Sequence, residues 1–291
     1  MALVPFDDRD GSIWLDGHFV PWRDAKIHVL THGLHYASCV FEGQRIYDGR
    51  VFALEKHTER LFNSARLLDM TIPFTPEEIN AACREAAEKS GMADAYQRPF
   101  VWRGSEQIGV SAPLAKIHVA IAVWAWPSYF DAEQKKKGIR LTNAPWRRPD
   151  PTTAPFEAKA AGLYMIATLS KHAAESAGYA DALMLDYRGY VAEATGANVF
   201  FVKEGVIHTP TPDCFLNGIT RQTVIGLARE RGIEVVERHI KPEELADFSE
   251  CFLTGSAAEV TPVSEIGEHR YTPGELSLGL MDAYARLVRR G

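Results

Sequence analysis

Cysteine is scarce: Cys39, Cys83, Cys214 and Cys251 stand singly in a chain of 291 residues. They form neither a CxxC pair nor a compact framework, which argues against a disulfide-stapled secreted scaffold and suits a reducing cytoplasm. No run of about eighteen apolar residues occurs, so no membrane-spanning helix is expected. The opening stretch Met1 to Asp10 lacks a basic segment followed by an apolar core, and no signal peptide is expected there. Positive charge is thin. Lys and Arg number 32 against 38 Asp and Glu, the net charge is −6, and Lys135-Lys136-Lys137 is the main basic block. A nucleic-acid or anionic-membrane partner is therefore not expected, while a few arginines would suffice for small anions. GxGxxG, the Walker A loop and GxSxG are absent, so nicotinamide, nucleoside-triphosphate and serine-hydrolase readings have no motif support.

What is present is an ordinary soluble composition, 46% hydrophobic and 24% charged, long enough for two modest domains or one large one. Asp16-Gly17 between Ser12–Leu15 and His18–Val20 predicts a hairpin. Arg50 to Leu54 leads into a helix on which Leu61, Ala65 and Leu68 recur at helical spacing. Thr75, Pro76, Glu78 and Gly91 supply N-cap, N1, N3 and stop for a second helix. Ile117, Val119, Ile121 and Val123 alternate as a strand does. The pattern lapses between Trp126 and Gly138, which suggests a small N-terminal α/β domain over 1–125, a linker over 126–140 and a larger domain over 141–291. The latter opens on a strand at Ile139 to Leu141 and a proline-rich loop. A helix over 162–177 follows, then a β meander from Ala182 to His208, a helix from about Thr220 and a strand at Ile233 to Val236.

Lys159 is the lysine least like a surface residue, flanked by Ala158 and Ala160 and opening an apolar run. A half-buried ammonium is costly unless paired or deprotonated, and chemistry with an aldehyde cofactor is a common reason to keep one. A lysine snorkelling from a helix start is the plainer alternative. Gly218-Ile219-Thr220-Arg221 opens a helix whose free amides could seat a phosphate, or simply form an N-cap. Thr254-Gly255-Ser256-Ala257-Ala258-Glu259 is either an anion nest or a strand-to-helix turn. Glu193 ends a strand, where it is either an exposed carboxylate or a partner that keeps a heteroaromatic nitrogen protonated. His28, His32 and His35 lack metal-ligand spacing and an accompanying acidic or thiol cluster, so no metal is expected.

These features fall within a wider resemblance. His32-Gly33-Leu34-His35-Tyr36, Val40-Phe41-Glu42-Gly43, Glu59-Arg60-Leu61, Glu157-Ala158-Lys159-Ala160, Glu193 to Asn198, Leu216 to Arg221 and Thr254 to Pro262 together resemble the class IV aminotransferases. These are pyridoxal-phosphate enzymes of fold type IV, and the branched-chain amino acid aminotransferases are the nearest likeness, along nearly the whole chain. The resemblance implies an α/β (α+β) two-domain fold whose larger domain holds a β pseudo-barrel, a homodimer or higher homo-oligomer, and a site between the domains. It implies that Lys159 is the Schiff-base lysine and proton carrier, Glu193 the ring-nitrogen partner and Tyr164 the ring-hydroxyl partner. Arg60, Ile219, Thr220, Ser256 and Ala257 form the implied phosphate cup. Tyr36, Phe41, Tyr96, Arg98, Trp126, Tyr129, Ala257 and Ala258 are the implied substrate contacts, with amino acids and 2-oxo acids as partners. Ser256 replaces a common threonine and keeps its hydroxyl. Arg103 and Asn217 depart from the pattern. Arg103 is either a surface charge or a second carboxylate ligand, as in D-amino acid and (R)-amine transaminases. Asn217 also resembles the aminodeoxychorismate lyases. A non-catalytic cofactor-binding protein is the remaining alternative, opposed by the joint presence of Lys159, Glu193 and Tyr164.

Overall fold

The computed structural model describes residues 4–126 and 132–290. The chain divides into two compact units, Met1–Pro127 with Ala158–Gly162, and Ser128–Glu157 with Leu163–Gly291.

The first unit is a seven-stranded sheet with two long helices. Its elements are β1 (Ser12–Leu15), β2 (His18–Pro21), α1 (His32–Tyr36), β3 (Cys39–Phe41), β4 (Gln44–Tyr47), β5 (Arg50–Val51), α2 (Leu54–Leu67), α3 (Pro76–Ser90), β6 (Ala95–Arg103) and β7 (Ile117–Ala125). The expected hairpin joins β1 to β2, with Asp16 and Gly17 both at positive φ, as a type I′ turn requires. Thr75 and Glu78 close a reciprocal capping box at α3, and Gly91 ends it in the left-handed region. On β7 the alternating Val119, Ile121 and Val123 are buried, but so are Ala120, Ala122 and Trp124 between them. Both faces of that strand are therefore covered. β6 lies centrally although it contains Pro99. The proline falls where its neighbour changes, β4 pairing with residues 95–97 and β3 with 100–102, so its missing N–H is tolerated.

Residues 158–162 belong to this unit because they run beside β3: Val40 and Ala160 form a bridge, and Phe41 N–H donates to the Lys159 carbonyl at 3.1 Å.

The second unit contains α4 (Ala132–Lys137), β8 (Ile139–Asn143), α5 (Met165–Ser176), β9 (Asp181–Leu185), β10 (Val191–Ala194), β11 (Asn198–Lys203), β12 (Val206–Pro210), α6 (Ile219–Arg229), β13 (Val235–Arg238), β14 (Glu250–Gly255), β15 (Glu259–Ile266), β16 (His269–Arg270) and α7 (Glu275–Leu287). The interval expected as linker thus holds α4 and the start of β8. The strand order β10-β9-β8-β15-β14-β11, together with the β10–β11 pairing, closes a ring of six. This is the β pseudo-barrel, filled by Leu141, Leu183, Val199, Phe201, Leu253 and Val263, all at most 1% exposed. The meander strands fall where hydrophobic alternation places them, and the helix from 162 begins as a 3-10 turn over Ala161–Tyr164. The run Thr254–Glu259 joins two strands, not a strand and a helix. α7 begins at Gly274 with no side-chain cap of its own. Glu250 of β14 takes that part, accepting from the amides of Gly274 at 3.0 Å and Ser277 at 2.9 Å.

A buried ionic group anchors the first unit. Glu42, fully enclosed, accepts from Arg60 Nε at 2.7 Å and Nη2 at 2.8 Å, and from His57 Nδ1 at 2.6 Å. Burial alone would raise the Glu42 pKa, but the Arg60 guanidinium and His57 outweigh it and hold the carboxyl well below the usual carboxylate range. Burial pushes the His57 pKa down, so the neutral ring donates its Nδ1–H. A carboxylate whose folded pKa is depressed contributes stability above its unfolded pKa of 4.5 and loses it as pH falls through the folded value. Glu42→Gln, which removes the buried negative charge facing Arg60, should therefore cost about 3 kcal/mol at neutral pH. The gap between wild type and variant in urea unfolding should narrow progressively below pH 4.5; a constant gap would show that the pair does not hold Glu42 ionised.

Candidate active site

In the first unit, Lys159 is fixed through its backbone. Its N–H donates to Ser64 Oγ at 3.0 Å, its carbonyl accepts from Phe41 N–H, and its Nζ lies 5.0 Å from the Phe41 ring centroid. The side chain is half-buried. Helix α2 supplies His57, Arg60 and Ser64, spaced three and four apart and so on one face. One side of that helix thus holds both the arginine expected at a phosphate and the backbone of the expected catalytic lysine.

Arg98 on β6 sits among aromatic rings, its Cζ 4.7 Å from the Phe41 centroid, 5.3 Å from Tyr96 and 5.8 Å from Trp124. Trp126 extends the cluster, 4.9 Å from Tyr96 between centroids. Arg98 Nη2 donates to the Tyr96 hydroxyl at 3.2 Å, while its Nε is buried with no acceptor among the described residues. That orphaned charged donor suits a carboxylate. Gly43 is required here, since a Cβ at that position would lie 2.0 Å from the Tyr96 hydroxyl. The structure thus brings Phe41, Tyr96, Arg98 and Trp126 together. Tyr36 stands on α1 against the His32 ring at 4.6 Å. Tyr129 lies outside the described residues.

Arg103 does not present a free guanidinium: Nη1 donates to the Ala112 carbonyl at 3.1 Å and Nη2 to the Asp69 carbonyl at 2.7 Å. It ties two loops, which removes the ground for reading it as a second carboxylate ligand. The three histidines make local contacts, His32 Nε2 to the Gly109 carbonyl at 2.8 Å, His35 Nε2 to the Val29 carbonyl at 2.9 Å, and His28 Nδ1 to the Leu30 amide at 3.1 Å. Among the described residues, Asp186, Asp213 and Cys214 are grouped closely enough for a metal, and Arg188 already pairs with both aspartates. The four cysteines are unpaired thiols; burial pushes Cys39 up to about 11 and Cys83 and Cys214 to about 12, so none of these three is a thiolate near neutral pH.

In the second unit, Glu193 is buried on β10, with Asn198 Nδ2 3.2 Å from Oε2 and Arg148 Nε 3.3 Å from Oε1. The same Arg148 reaches the Leu163 carbonyl, one residue before Tyr164, at 3.5 Å. Asn198 Oδ1 also accepts from Gly218 N–H at 3.2 Å. Gly218 is the N-cap of α6 and offers no side chain, so the amides of Ile219 and Thr220 have no acceptor among the described residues. Uncapped amides at the positive end of an eleven-residue helix fit an anion such as a phosphate. The strand end before Ser256, Ala257 and Ala258 packs against the turn that precedes Asn198: a Cβ on Gly255 would meet the Gly196 carbonyl at 3.3 Å and the Ala197 Cβ at 3.5 Å. Next to it, Thr254 Oγ1 is buried without a hydrogen-bond partner among the described residues.

Arg148, Asn198, Ser64 and Glu42 carry no role in the sequence reading. Arg148 stands beside Arg147 in a proline-rich loop and resembles an exposed base; only its burial sets it apart.

The profile of the family described as amino-transferase class IV matches residues 39–266. A branched-chain-amino-acid aminotransferase of Pseudomonas aeruginosa is 44% identical over 288 residues, covering 97% of this chain and 94% of the relative. The structure of a T.th. branched-chain amino acid aminotransferase with pyridoxamine 5′-phosphate superposes with a TM-score of 0.93 at 40% identity, over 97% of this chain and 96% of that one. That of Thermoproteus uzoniensis with norvaline gives a TM-score of 0.92 at 36% identity, over 97% and 95%. Motif order, six-stranded ring and full-length similarity agree: this chain belongs to the class IV aminotransferases, with their fold type IV architecture.

Proposed function

We propose that this enzyme is a pyridoxal-phosphate-dependent branched-chain amino acid aminotransferase, moving the amino group of leucine, isoleucine or valine to 2-oxoglutarate by a ping-pong sequence through one site. The observation that carries this reading is the pairing in the second unit of a buried carboxylate with an uncapped helix N-terminus, joined by Asn198. That arrangement suits a ligand with a basic ring nitrogen at one end and a phosphate at the other.

When bound, the cofactor supplies an electron sink for the pair left at the substrate Cα. Glu193 accepts from the ring N–H and keeps that nitrogen protonated. The amides of Ile219 and Thr220, with the Ser256–Ala257 turn, would hold the phosphate of the cofactor, an anchor that does not depend on Lys159. Tyr164 donates to the ring oxygen. Lys159 Nζ removes the proton from the substrate Cα, its reach set by the Ser64 and Phe41 contacts to its backbone. Phe41, Tyr96 and Trp126, with Tyr36, would form an apolar wall for a branched side chain. Arg98 receives the distal carboxylate of glutamate or 2-oxoglutarate.

A second copy of the chain covers an apolar face of the first unit. Val29 is 74% exposed, Val110 89% and Leu114 78%, with Leu30 and Leu34 beside them. The His32–Gly109 hydrogen bond holds the two segments together. Exposed apolar side chains gathered in this way mark an association surface, and a homodimer is the proposed form. No helix among the described residues is long and apolar enough to cross a membrane, and the free thiols support a cytoplasmic location.

Three outcomes test this reading. Wild type should form glutamate from L-leucine and 2-oxoglutarate, whereas Lys159→Ala should retain the cofactor yet lose at least about a thousandfold in kcat. Consumption of D-alanine or (R)-1-phenylethylamine in place of L-leucine would sink the substrate assignment. Arg98→Gln should raise the KM for 2-oxoglutarate by about tenfold or more with a smaller change for leucine; an unchanged KM would remove Arg98 from carboxylate binding. Sedimentation should show a dimer that Val110→Asp weakens, and a monomeric wild type would refute the proposed assembly.

A further inference from the structure

Asn198 has no part in the chemistry above, yet its side chain touches both Glu193 and Gly218, the N-cap of α6. It opens β11, is 5% exposed, and lies in register between Glu193 on β10 and Thr254 on β14. Its Nδ2 donates to Glu193 Oε2 at 3.2 Å and to the Leu216 carbonyl at 2.9 Å, and its Oδ1 accepts from Gly218 N–H at 3.2 Å. Both ends of the carboxamide are therefore used. A carboxylate in its place could not donate to Glu193, and a hydroxyl could not span the same three groups.

Gly218 gives independent support. Its φ of −60° is one that any residue adopts, so its backbone does not call for glycine. The reason is Asn198: a Cβ at 218 would lie 2.3 Å from Asn198 Oδ1. The glycine that leaves α6 without a capping side chain, and so exposes the Ile219 and Thr220 amides to a ligand, is the same glycine that lets Asn198 reach the turn.

The geometry points to Asn198 as a positioning residue. It fixes the spacing and register between the Glu193 carboxylate and the N-terminus of α6, and so matches a rigid ligand that carries a protonated ring nitrogen at one end and a phosphate at the other. This rests on the proposed function. An aromatic ring cannot stretch between two anchors, so an error of about half an ångström in their separation weakens one contact or the other. Side-chain hydrogen bonds that link a strand to a helix start hold such a separation more tightly than the packing of either element alone.

The test measures cofactor affinity in apoprotein titrations, with pyridoxal 5′-phosphate and with its 1-deaza analogue, in which CH replaces the ring nitrogen. Asn198→Asp keeps the shape and the acceptor for Gly218 but sets an oxygen against Glu193 and the Leu216 carbonyl. It should bind pyridoxal 5′-phosphate at least about tenfold more weakly than wild type. Its preference for that cofactor over the deaza analogue should shrink by a similar factor, since the Glu193 contact is the part disturbed. A merely structural role would weaken both cofactors equally and leave the preference unchanged, and that result overturns the proposal. So does an affinity within twofold of wild type. If thermal melts show that Asn198→Asp does not fold, Asn198→Ala is read by the same two criteria. Wild type that binds neither cofactor would sink the proposed function, and this inference with it.

Discussion

The short pairing of β10 with β11 closes the ring of six strands, and the larger unit depends on it. Closure leaves those strands with few open edges and forces the hairpin turn at Thr195–Ala197 against the turn at Gly255–Ala257. The register pair at that closure is Glu193 with Asn198. The residues that close the ring are therefore also the proposed partner of the ring nitrogen and the side chain that meets the start of α6, so the barrel and the proposed site cannot vary independently.

A comparable economy governs the first unit. Helix α2 inserts His57 and Arg60 against the enclosed Glu42 and, one turn on, presents Ser64 to the Lys159 amide. Burying a carboxylate costs several kcal/mol unless it is paired, and Arg60 offsets that with two hydrogen bonds. Arg60 is held in one orientation, as an arginine must be if it is to meet a phosphate without losing much rotamer freedom. Arg98 is restrained differently, by aromatic faces on three sides that leave one buried donor to be satisfied.

Much of this was legible in the sequence where the signal is local. The Asp16-Gly17 turn, the Thr75–Glu78 box, the meander and the start of α6 each follow from residues a few positions apart. β6 was less legible, because Pro99 interrupts it, and only the pairing of β4 and β3 on either side of the proline makes it a central strand. The onset of α7 was hidden for a related reason: Glu250, more than twenty residues upstream, satisfies its first amides. Arg103 shows the reverse. Its sequence position allowed two roles, and two backbone carbonyls chose between them.

The sequence by itself determined the chemistry. Taken singly, Lys159, Glu193 and the Gly218–Thr220 turn each left a plain alternative open; their order within the motifs that resemble the class IV aminotransferases is what named the cofactor class. The tertiary structure alone decided how those groups are held. Ser64 reaches Lys159 and Arg148 reaches Glu193 across long stretches of chain, whereas Glu42 behind Arg60 and Asn198 at Glu193 lie within motifs whose spacing does not show what their side chains hold. Local spacing encodes turns, caps and periodicity, whereas a buried polar group finds its partner only once the chain has closed around it.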